Sequence, residues 1–194
     1  EADVVAARIA EMLGKDAFQF SPAGLINIHR HLFQDIFVHA GQIRQYDIAK
    51  KEWVLKGATV TYAPCYGIRD MLGYDFATEK QFSHKGLSMA DSIRHFAEFA
   101  ANIWQIHPFA EGNTRATAVF IIKYMKTFGL KVDNDVFKKH SWYFRNALVR
   151  ANYNDLKNGV HETTEYLELF LRNLLFGENN PIKNRNMHIS GSLS

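Results

Sequence analysis

The chain has 194 residues, 47% of them hydrophobic, and a formal net charge of +3, which fits one folded domain rather than a disordered segment. This charge is too weak to indicate a nucleic-acid-binding protein, although it suits an anionic small molecule as ligand. The single cysteine, Cys65, excludes an intrachain disulfide and a four-cysteine zinc site. We expect a cytoplasmic protein, because a lone cysteine favours a reducing compartment and no apolar stretch is long enough to span a membrane.

Two amphipathic helices are predicted near the start of the chain. The first extends from Asp3 to Leu13 and is followed by Gly14, a common residue at helix ends. The second begins at Ser21 and Pro22, where serine can cap the helix and proline fits its first position, and it extends to Phe37. Apolar residues recur every three or four positions in both segments, so one face of each helix is expected in the core.

Residues 52–55 and 59–62 carry the strongest strand signal in the chain. Their β-branched and aromatic residues flank Lys56-Gly57-Ala58, a short segment typical of a turn, and together they predict a small β-hairpin over residues 52–62. An isolated hairpin is only marginally stable in water, so we expect it to pack against the helices.

The rest of the chain is predicted to be helical. Further helices are expected over residues 64–72, 88–107, 114–128, 136–153 and 162–176, followed by a polar, loosely attached tail at 177–194. Ser88 caps its helix, and this helix should end at His107, because a residue that precedes proline is disfavoured in the helical region. The expected fold is therefore all-α with a small β-hairpin flap, in a single domain of residues 1–176.

The segment HPFAEGNTR, residues 107–115, is unusually polar for a link between two strongly apolar helices. If a helix begins near Thr114, its first amide groups lack intrahelical partners and attract an anion such as phosphate. Glu111 is a candidate ligand for Mg²⁺, and His107 is a candidate general base near neutral pH. The candidate phosphate-binding residues, which supply backbone or side-chain donors, are Gly112, Asn113, Thr114 and Arg115.

Each of these residues alone has an ordinary structural explanation. A histidine before proline usually ends a helix in the core, an isolated glutamate is usually solvated, and Gly-Asn is a common turn. Phe109 is expected to anchor the loop under either interpretation. The nine residues together favour a nucleotide site in which His107 takes a proton from an incoming hydroxyl.

These nine residues resemble the signature of the Fic domain family, His-x-Phe-x-(Asp/Glu)-Gly-Asn-(Gly/Lys)-Arg, followed after two more residues by a second Arg. The stretch IHRHLFQDIFVHAGQIRQYDIAKK, residues 28–51, is also similar to the family's upstream helix and Ala-Gly-x-x-Arg turn. The resemblance covers about residues 20–174, and two matches in order are more specific than one Gly-rich loop. It implies a mainly helical fold with a hairpin flap beside the site and, in most members, transfer of AMP from ATP to a protein hydroxyl.

The resemblance also implies a role for each matching residue. His107 would deprotonate a target Ser, Thr or Tyr, Glu111 would hold Mg²⁺, and Asn113 would orient the α-phosphate. Gly112 and its neighbours would form the anion hole, and Arg115 would bind the outer phosphates. The implied partners are ATP and a target protein that docks at the hairpin 52–62 by strand addition. The implied location is a cytosol, including a host cytosol reached as part of a larger effector.

Two positions depart from the family pattern. Thr114 stands where Gly or Lys is usual, and Ala118 replaces the second Arg, which in relatives orients the γ-phosphate and often pairs with an inhibitory Glu. That Glu belongs to a (Ser/Thr)-x-x-x-Glu-(Gly/Asn) helix. Thr164 and Glu168 match its spacing, but Leu169 follows them. We therefore hypothesise that the domain has no built-in inhibition, which leaves room for a separate antitoxin-like inhibitor chain.

Two alternative functions remain open on the same scaffold. A Doc-like enzyme would bind the nucleotide in the reverse direction and transfer its γ-phosphate. A degenerate relative would only bind nucleotides or proteins, although the intact His107, Glu111, Asn113 and Arg115 argue against this. A metal hydrolase is disfavoured, because the sequence contains no His-Glu-x-x-His motif.

Overall fold

The computed structural model describes residues 1–132 and 135–189, and the regular structure in these ranges is helical. The eight α-helices of the described residues are α1 (Ala2–Leu13), α2 (Pro22–Phe33), α3 (Ile68–Gln81), α4 (Met89–Ile106), α5 (Asn113–Lys126), α6 (Asp135–Lys139), α7 (Ser141–Arg150) and α8 (Glu165–Phe176). None of these helices combines the length and the apolar character needed to cross a membrane.

Serine side chains begin α2 and α4, as the sequence predicts. Ser21 Oγ accepts a hydrogen bond of 3.0 Å from the amide of Gly24, and Ser88 Oγ accepts one of 3.1 Å from the amide of Asp91. Each bond satisfies a first-turn amide that has no partner within the helix. Helix α2 ends at Phe33 rather than at the predicted Phe37, because the chain leaves the helical region at Gln34.

Helix α5 lies at the centre of the domain and packs against α1, α2 and α4. Ten of its fourteen residues are buried, which agrees with the weak polarity of this segment in the sequence. Trp104 on α4 and Phe120 on α5 are fully buried in the same core. Because both ends of the polar segment 107–115 are continuous with these two helices, the core determines where that segment lies.

The predicted β-hairpin over residues 52–62 is wrong. In its place, Trp53–Leu55 form a 3₁₀ helix that ends at Lys56, whose φ of 54° is left-handed. Glu52 closes this loop, since its amide donates to the carbonyl of Ala58 at 2.9 Å and its own carbonyl accepts from the amide of Gly57 at 2.9 Å. Val54 and Leu55 are consecutive and both buried, which a half-exposed strand with alternating sides does not allow. Of the β-branched residues here, Val54 and Val60 are buried in the core instead of pairing in a sheet.

The C-terminal segments also differ from the sequence expectation. The predicted helix over residues 136–153 is divided into α6 and α7 at His140. Part of the tail is packed on the domain, because Met187 is fully buried and its carbonyl accepts a hydrogen bond of 2.6 Å from Arg150. Ile189 donates its amide to the carbonyl of Val54 at 2.9 Å, so the tail also contacts the 3₁₀ segment. Residues 190–194 of the predicted tail lie outside the described residues.

Candidate active site

The polar segment 107–115 forms the tight loop that joins α4 to α5. His107 follows the last residue of α4 and has left-handed backbone angles, with φ 50° and ψ 58°. Gly112 precedes α5 and is also left-handed, with φ 78°. The loop therefore reverses the chain between two left-handed residues, and it presents the first turn of α5 beside the end of α4.

Asn113 holds this loop together through its side chain. Its Oδ1 accepts from the amide of Phe109 at 3.0 Å, and its Nδ2 donates to the carbonyl of the same residue at 2.7 Å. The side chain is buried, so these two bonds replace water that the loop backbone would otherwise need. Both side-chain atoms of Asn113 are thus engaged with the loop, whereas the sequence interpretation assigned the residue to a phosphate.

His29 on α2 supports the loop through a hydrogen bond and through ring stacking. Its Nδ1 accepts from the amide of Gly41 at 2.9 Å, so the proton lies on Nε2, which donates to the carbonyl of Glu111 at 2.9 Å. The imidazole also stacks on Phe109, with the two ring centroids 3.7 Å apart. Phe109 is almost fully buried, which is consistent with its predicted role as an anchor.

His107 is fully buried, and its two ring nitrogens are in different states. Nδ1 lies 3.0 Å from the carbonyl oxygen of Trp104, which can only accept, so Nδ1 carries the proton. Nε2 therefore has a free lone pair, and it has no hydrogen-bond partner in the described part of the chain. Tyr62 stacks on the imidazole at a centroid distance of 4.0 Å, and burial lowers the pKa of His107 to about 3. The imidazole is therefore neutral at pH 7 and Nε2 is a free acceptor, but burial makes it a weak base. Removing its cover would raise the pKa again towards the range that a general base needs near neutral pH.

Arg44 fixes the backbone on which His107 lies. Its buried guanidinium donates to the carbonyl of His107 at 2.7 Å, to Ala63 at 2.5 Å and to Ile106 at 3.2 Å. Its amide also donates to the carbonyl of Pro108 at 2.9 Å. A non-glycine residue with positive φ carries strain of about 1–2 kcal/mol, and such strain persists only where surrounding contacts hold it. Arg44 provides those contacts.

Burial of two neutral histidines is expected to make the domain less stable in acid. The folded-state pKa values, about 4 for His29 and about 3 for His107, lie below the ordinary value of 6.5. The unfolded chain therefore binds these protons first as the pH falls below 6.5, and stability decreases towards pH 4, by up to about 1.4 kcal/mol per pH unit for each group. Urea unfolding at several pH values between 7 and 4.5 measures this slope. The stability of His107→Gln should depend less steeply on pH than that of the wild type. Equal slopes would show that the folded domain does not lower the pKa of His107.

Glu111 extends from the loop towards solvent, with 60% of its side chain exposed, and lies 3.7 Å from the ammonium of Lys50. One carboxylate does not hold a metal ion by itself, and the group of three potential ligands found in the described residues lies elsewhere in the fold. Mg²⁺ commonly binds through one carboxylate together with phosphate oxygens and water. The hard oxygen donors of Glu111 fit this ion if it arrives with a nucleotide.

Arg115 lies in the first turn of α5, over the ring of Phe33 at 4.6 Å from its centroid. Its guanidinium is 3.5 Å from the carboxylate of Glu1, and both side chains are well exposed to solvent. An exposed ion pair of this kind contributes about 0–1 kcal/mol, so a triphosphate could displace it. The contact with Glu1 is too weak to keep a nucleotide out of the site. That the domain has no built-in inhibition stays a prediction.

Thr114 joins α5 to a polar network that the sequence did not reveal. Its hydroxyl accepts from Trp104 Nε1 at 3.0 Å and lies 3.4 Å from the guanidinium of Arg145 on α7. Arg145 also pairs with the buried carboxylate of Glu52 at 2.6 Å, and Glu52 lies 3.4 Å from the hydroxyl of Tyr62. The start of α5 is thus connected to the ring that covers His107. A threonine, unlike glycine, supplies the hydroxyl for this connection.

Ala118 lies one turn after Thr114 on α5. Both residues line a cavity of about 440 Å³ beside α1, together with apolar residues that include Val5, Ile9 and Val119. Position 118 is an alanine and therefore supplies no positive charge. Arg145 on α7 approaches the start of α5 from another direction. Glu168 on α8 instead pairs with the exposed Arg94 on α4 at 3.2 Å.

The structure brings the six predicted site residues together on one loop and helix start. Sequence reasoning missed the roles of four further residues: Arg44, Lys50, Tyr62 and Arg145. Arg44 lies in the Ala-Gly-x-x-Arg turn that the resemblance had already singled out, so a signal for it existed. No local pattern in the sequence pointed to Arg145, because its place at the site depends on contacts with Thr114 and Glu52. These residues are 31 and 93 positions away along the chain.

The sequence matches the model of the Fic/DOC family over residues 19–125. It is 32% identical over 136 residues to a probable protein adenylyltransferase of Sinorhizobium fredii, which covers 66% of this chain and 64% of that protein. It is also 28% identical over 118 residues to the probable protein adenylyltransferase Fic of Escherichia coli, covering 61% of this chain and 56% of that protein. The matches thus span about three fifths of the length of these relatives.

Two solved structures have a similar fold. BepC, a VirB-translocated effector of Bartonella tribocorum with bound AMPPNP, matches with a TM-score of 0.68 and 20% identity over 89% of this chain and 83% of that chain. The N-terminal Fic domain of a VirB-translocated Bep effector of Bartonella quintana, with bound ADP, matches with a TM-score of 0.69 and 21% identity over 89% and 81%. At 20% and 21% identity, these comparisons establish a similar fold and nothing more specific.

Proposed function

The chain belongs to the Fic/DOC family, and on this premise we propose that it is a protein adenylyltransferase that transfers AMP from ATP to a hydroxyl side chain of a target protein. The observation that carries the proposal is the buried lone pair of His107 Nε2, in the loop that leads into α5. The names of the curated relatives and the nucleotides in the two Bartonella structures support the same activity.

In the proposed reaction, His107 Nε2 accepts the proton of the target hydroxyl as its oxygen attacks the α-phosphorus. The new oxygen–phosphorus bond forms while the bond to the bridging oxygen of the β-phosphate breaks, and pyrophosphate leaves with that electron pair. The other proton stays on Nδ1, which donates to the carbonyl of Trp104, and this hydrogen bond stabilises the imidazolium that forms. General base catalysis of this kind contributes about 10²–10⁴-fold to the rate.

The phosphates bind at the positive end of α5. The first-turn amides of a helix and its dipole attract negative charge, and Gly112 allows the backbone to approach closely. Arg115 binds the outer phosphates and releases Glu1 as it does so. Glu111 would hold Mg²⁺, and the ion would supply positive charge against the phosphates. Asn113 acts by holding the loop in shape, since both of its polar side-chain atoms bind Phe109.

Arg145 supplies the second cation that position 118 lacks. Its guanidinium is 3.4 Å from the hydroxyl of Thr114 at the start of α5, and it approaches from α7 rather than along α5. An arginine offers a planar set of donors that matches phosphate oxygens. Binding a phosphate would weaken its bond to Glu52, which in turn loosens the contact of Glu52 with Tyr62. Nucleotide binding and exposure of His107 are therefore coupled in this proposal.

The target reaches His107 only after Tyr62 moves, because Nε2 is buried beneath the segment that carries Tyr62. Strand addition to a hairpin is no longer the docking mode, because residues 52–62 contain a 3₁₀ helix at Trp53–Leu55 and no paired strands. We infer that the target hydroxyl enters along the face from which Tyr62 withdraws. The reaction takes place in a cytosol, either that of the producing cell or that of a host, and a separate inhibitor chain would act by covering this face.

Labelled ATP tests the direction of transfer. We expect a target protein incubated with this domain to gain label from α-labelled ATP and none from γ-labelled ATP. Transfer from the γ-position would instead favour the Doc-like kinase, an alternative that the departures at Thr114 and Ala118 keep relevant. Mass spectrometry of a treated lysate identifies both the added group and the acceptor residue. Calorimetry that detects no binding of Mg-ATP would contradict both enzymatic functions and favour a binding module.

A further inference from the structure

A second polar cluster lies at the other end of α5, about 15 Å along the helix from Thr114. Glu79 at the end of α3 is buried, and its two carboxylate oxygens face two different histidines. His84, in the connection between α3 and α4, has Nε2 3.0 Å from Oε1, and His95 on α4 has Nε2 2.6 Å from Oε2. Tyr124 on α5 donates its hydroxyl to Oε1 at 2.5 Å.

The donor set of this cluster is that of a zinc site. The ligand atoms of Glu79, His84 and His95 all lie within 4.8 Å of one another. Tetrahedral Zn²⁺ with bonds of about 2.0–2.1 Å separates its ligand atoms by about 3.3 Å, so small side-chain movements bring all three atoms to bonding distance. Two imidazoles and one carboxylate form a known three-ligand set that leaves a fourth position open. The Tyr124 hydroxyl, 3.3 Å from His84 Nε2, lies beside that position.

Aromatic rings hold both histidines in these orientations. Phe82 stacks on His95 with ring centroids 3.6 Å apart and planes 7° apart. Phe128 and Phe96 pack on His84, with ring centroids 4.5 Å and 5.5 Å from the centroid of the imidazole. A hydrophobic surround of this kind orients metal ligands and limits access by water. The two histidine side chains remain 18% and 19% exposed, so an ion can enter from solvent.

We propose that Glu79, His84 and His95 bind one Zn²⁺ ion, with the hydroxyl of Tyr124 beside the fourth coordination position. The site joins α3, the connection that follows it, and α4, and it lies against α5. A bound ion would fix a connection with little regular structure to the helices at the centre of the domain. The site is independent of the proposed AMP transfer, since none of its residues belongs to the loop 107–115.

Zinc binding is measured on the tag-free chain after treatment with a chelator. We expect one Zn²⁺ per chain in competition with a chromophoric chelator, and Co²⁺ in its place should give the intense visible absorption of a tetrahedral site. At a hundredfold excess over the dissociation constant, Zn²⁺ should raise the melting temperature by about 5–10 °C. A chain that binds no Zn²⁺ at micromolar concentrations would overturn the proposal.

Variants locate the ion. His84→Gln should lower the Zn²⁺ affinity by at least about 100-fold, because it removes one of three ligands, and its position between two helices leaves both helices intact. His95→Gln and Glu79→Gln should lower it similarly. The control is His161→Gln at an exposed histidine outside the cluster, which should bind Zn²⁺ as the wild type does. Wild-type affinity in folded His84→Gln, checked by circular dichroism, would place the ion elsewhere and disprove the site.

Discussion

Replacement of His107 by alanine is expected to lower the rate of AMP transfer by about 10²–10⁴-fold, while ATP still binds. The reason is the state of the imidazole, whose Nδ1 proton is held by the carbonyl of Trp104 and whose Nε2 lone pair has no partner among the described residues. No other contact assigned to the nucleotide depends on this side chain. The measurements are the transfer rate from α-labelled ATP and the affinity for Mg-ATP by calorimetry.

Two further variants separate catalysis from packing. His107→Ala leaves a cavity beneath Tyr62, so His107→Gln is needed as a second variant that fills the space and keeps a polar group near Trp104. Glutamine does not accept the proton at neutral pH, and we expect the same loss of transfer with a smaller loss of stability. His161→Ala, at an exposed histidine, should transfer AMP at the wild-type rate. If His107→Gln retains the wild-type rate, His107 is not the base.

Gly112→Ala is expected to destabilise the domain by about 2–5 kcal/mol and to abolish nucleotide binding. An added Cβ would lie 2.4 Å from Phe33 Cε2, 2.6 Å from Phe33 Cζ and 3.2 Å from His29 Nε2. Overpacking in a core costs about 1–3 kcal/mol, and positive φ adds about 1–2 kcal/mol for any residue with a Cβ. The clash pushes the loop away from α2, and the first turn of α5 moves with it.

Gly129→Ala is the matched control for this prediction. Gly129 has φ 77°, almost the same as the 78° of Gly112, but an added Cβ there meets no atom within 4 Å. Gly129→Ala should therefore lower the free energy of unfolding by only the cost of positive φ, about 1–2 kcal/mol, and the variant should keep its affinity for Mg-ATP. Urea unfolding and calorimetry on both variants test the difference. Equal destabilisation of the two would show that contact with Phe33 and His29 does not control the loop.

Much of the helical framework follows from local sequence. Ser21 and Ser88 begin helices where their side chains cap first-turn amides, and the helix before Pro108 ends at the residue that proline excludes from the helical region. The weak polarity of residues 114–128 correctly predicts the central helix. These features depend on neighbours within one turn of the chain, which is the range over which sequence patterns are informative.

The error at residues 52–62 shows the limit of the same reasoning. Val54, Thr59 and Val60 have high strand propensity, but no second segment in the described residues pairs with them as a sheet. Val54 and Leu55 are both buried against the helical core, and this burial favours the 3₁₀ turn. Strand propensity mainly reflects packing on a sheet, so it misleads where the surrounding surface is helical.

The sequence by itself determined the helical class, the position of the central helix, and the loop that carries His107, Glu111 and Arg115. Only the tertiary structure decided which nitrogen of His107 carries the proton, that Tyr62 covers the ring, and that Arg145 approaches the start of α5. It also decided that Glu79, His84 and His95 converge. The physical reason is the range of the interactions. Caps and helix ends depend on adjacent residues, whereas burial, ring stacking and convergent side chains depend on which distant segments the core brings into contact.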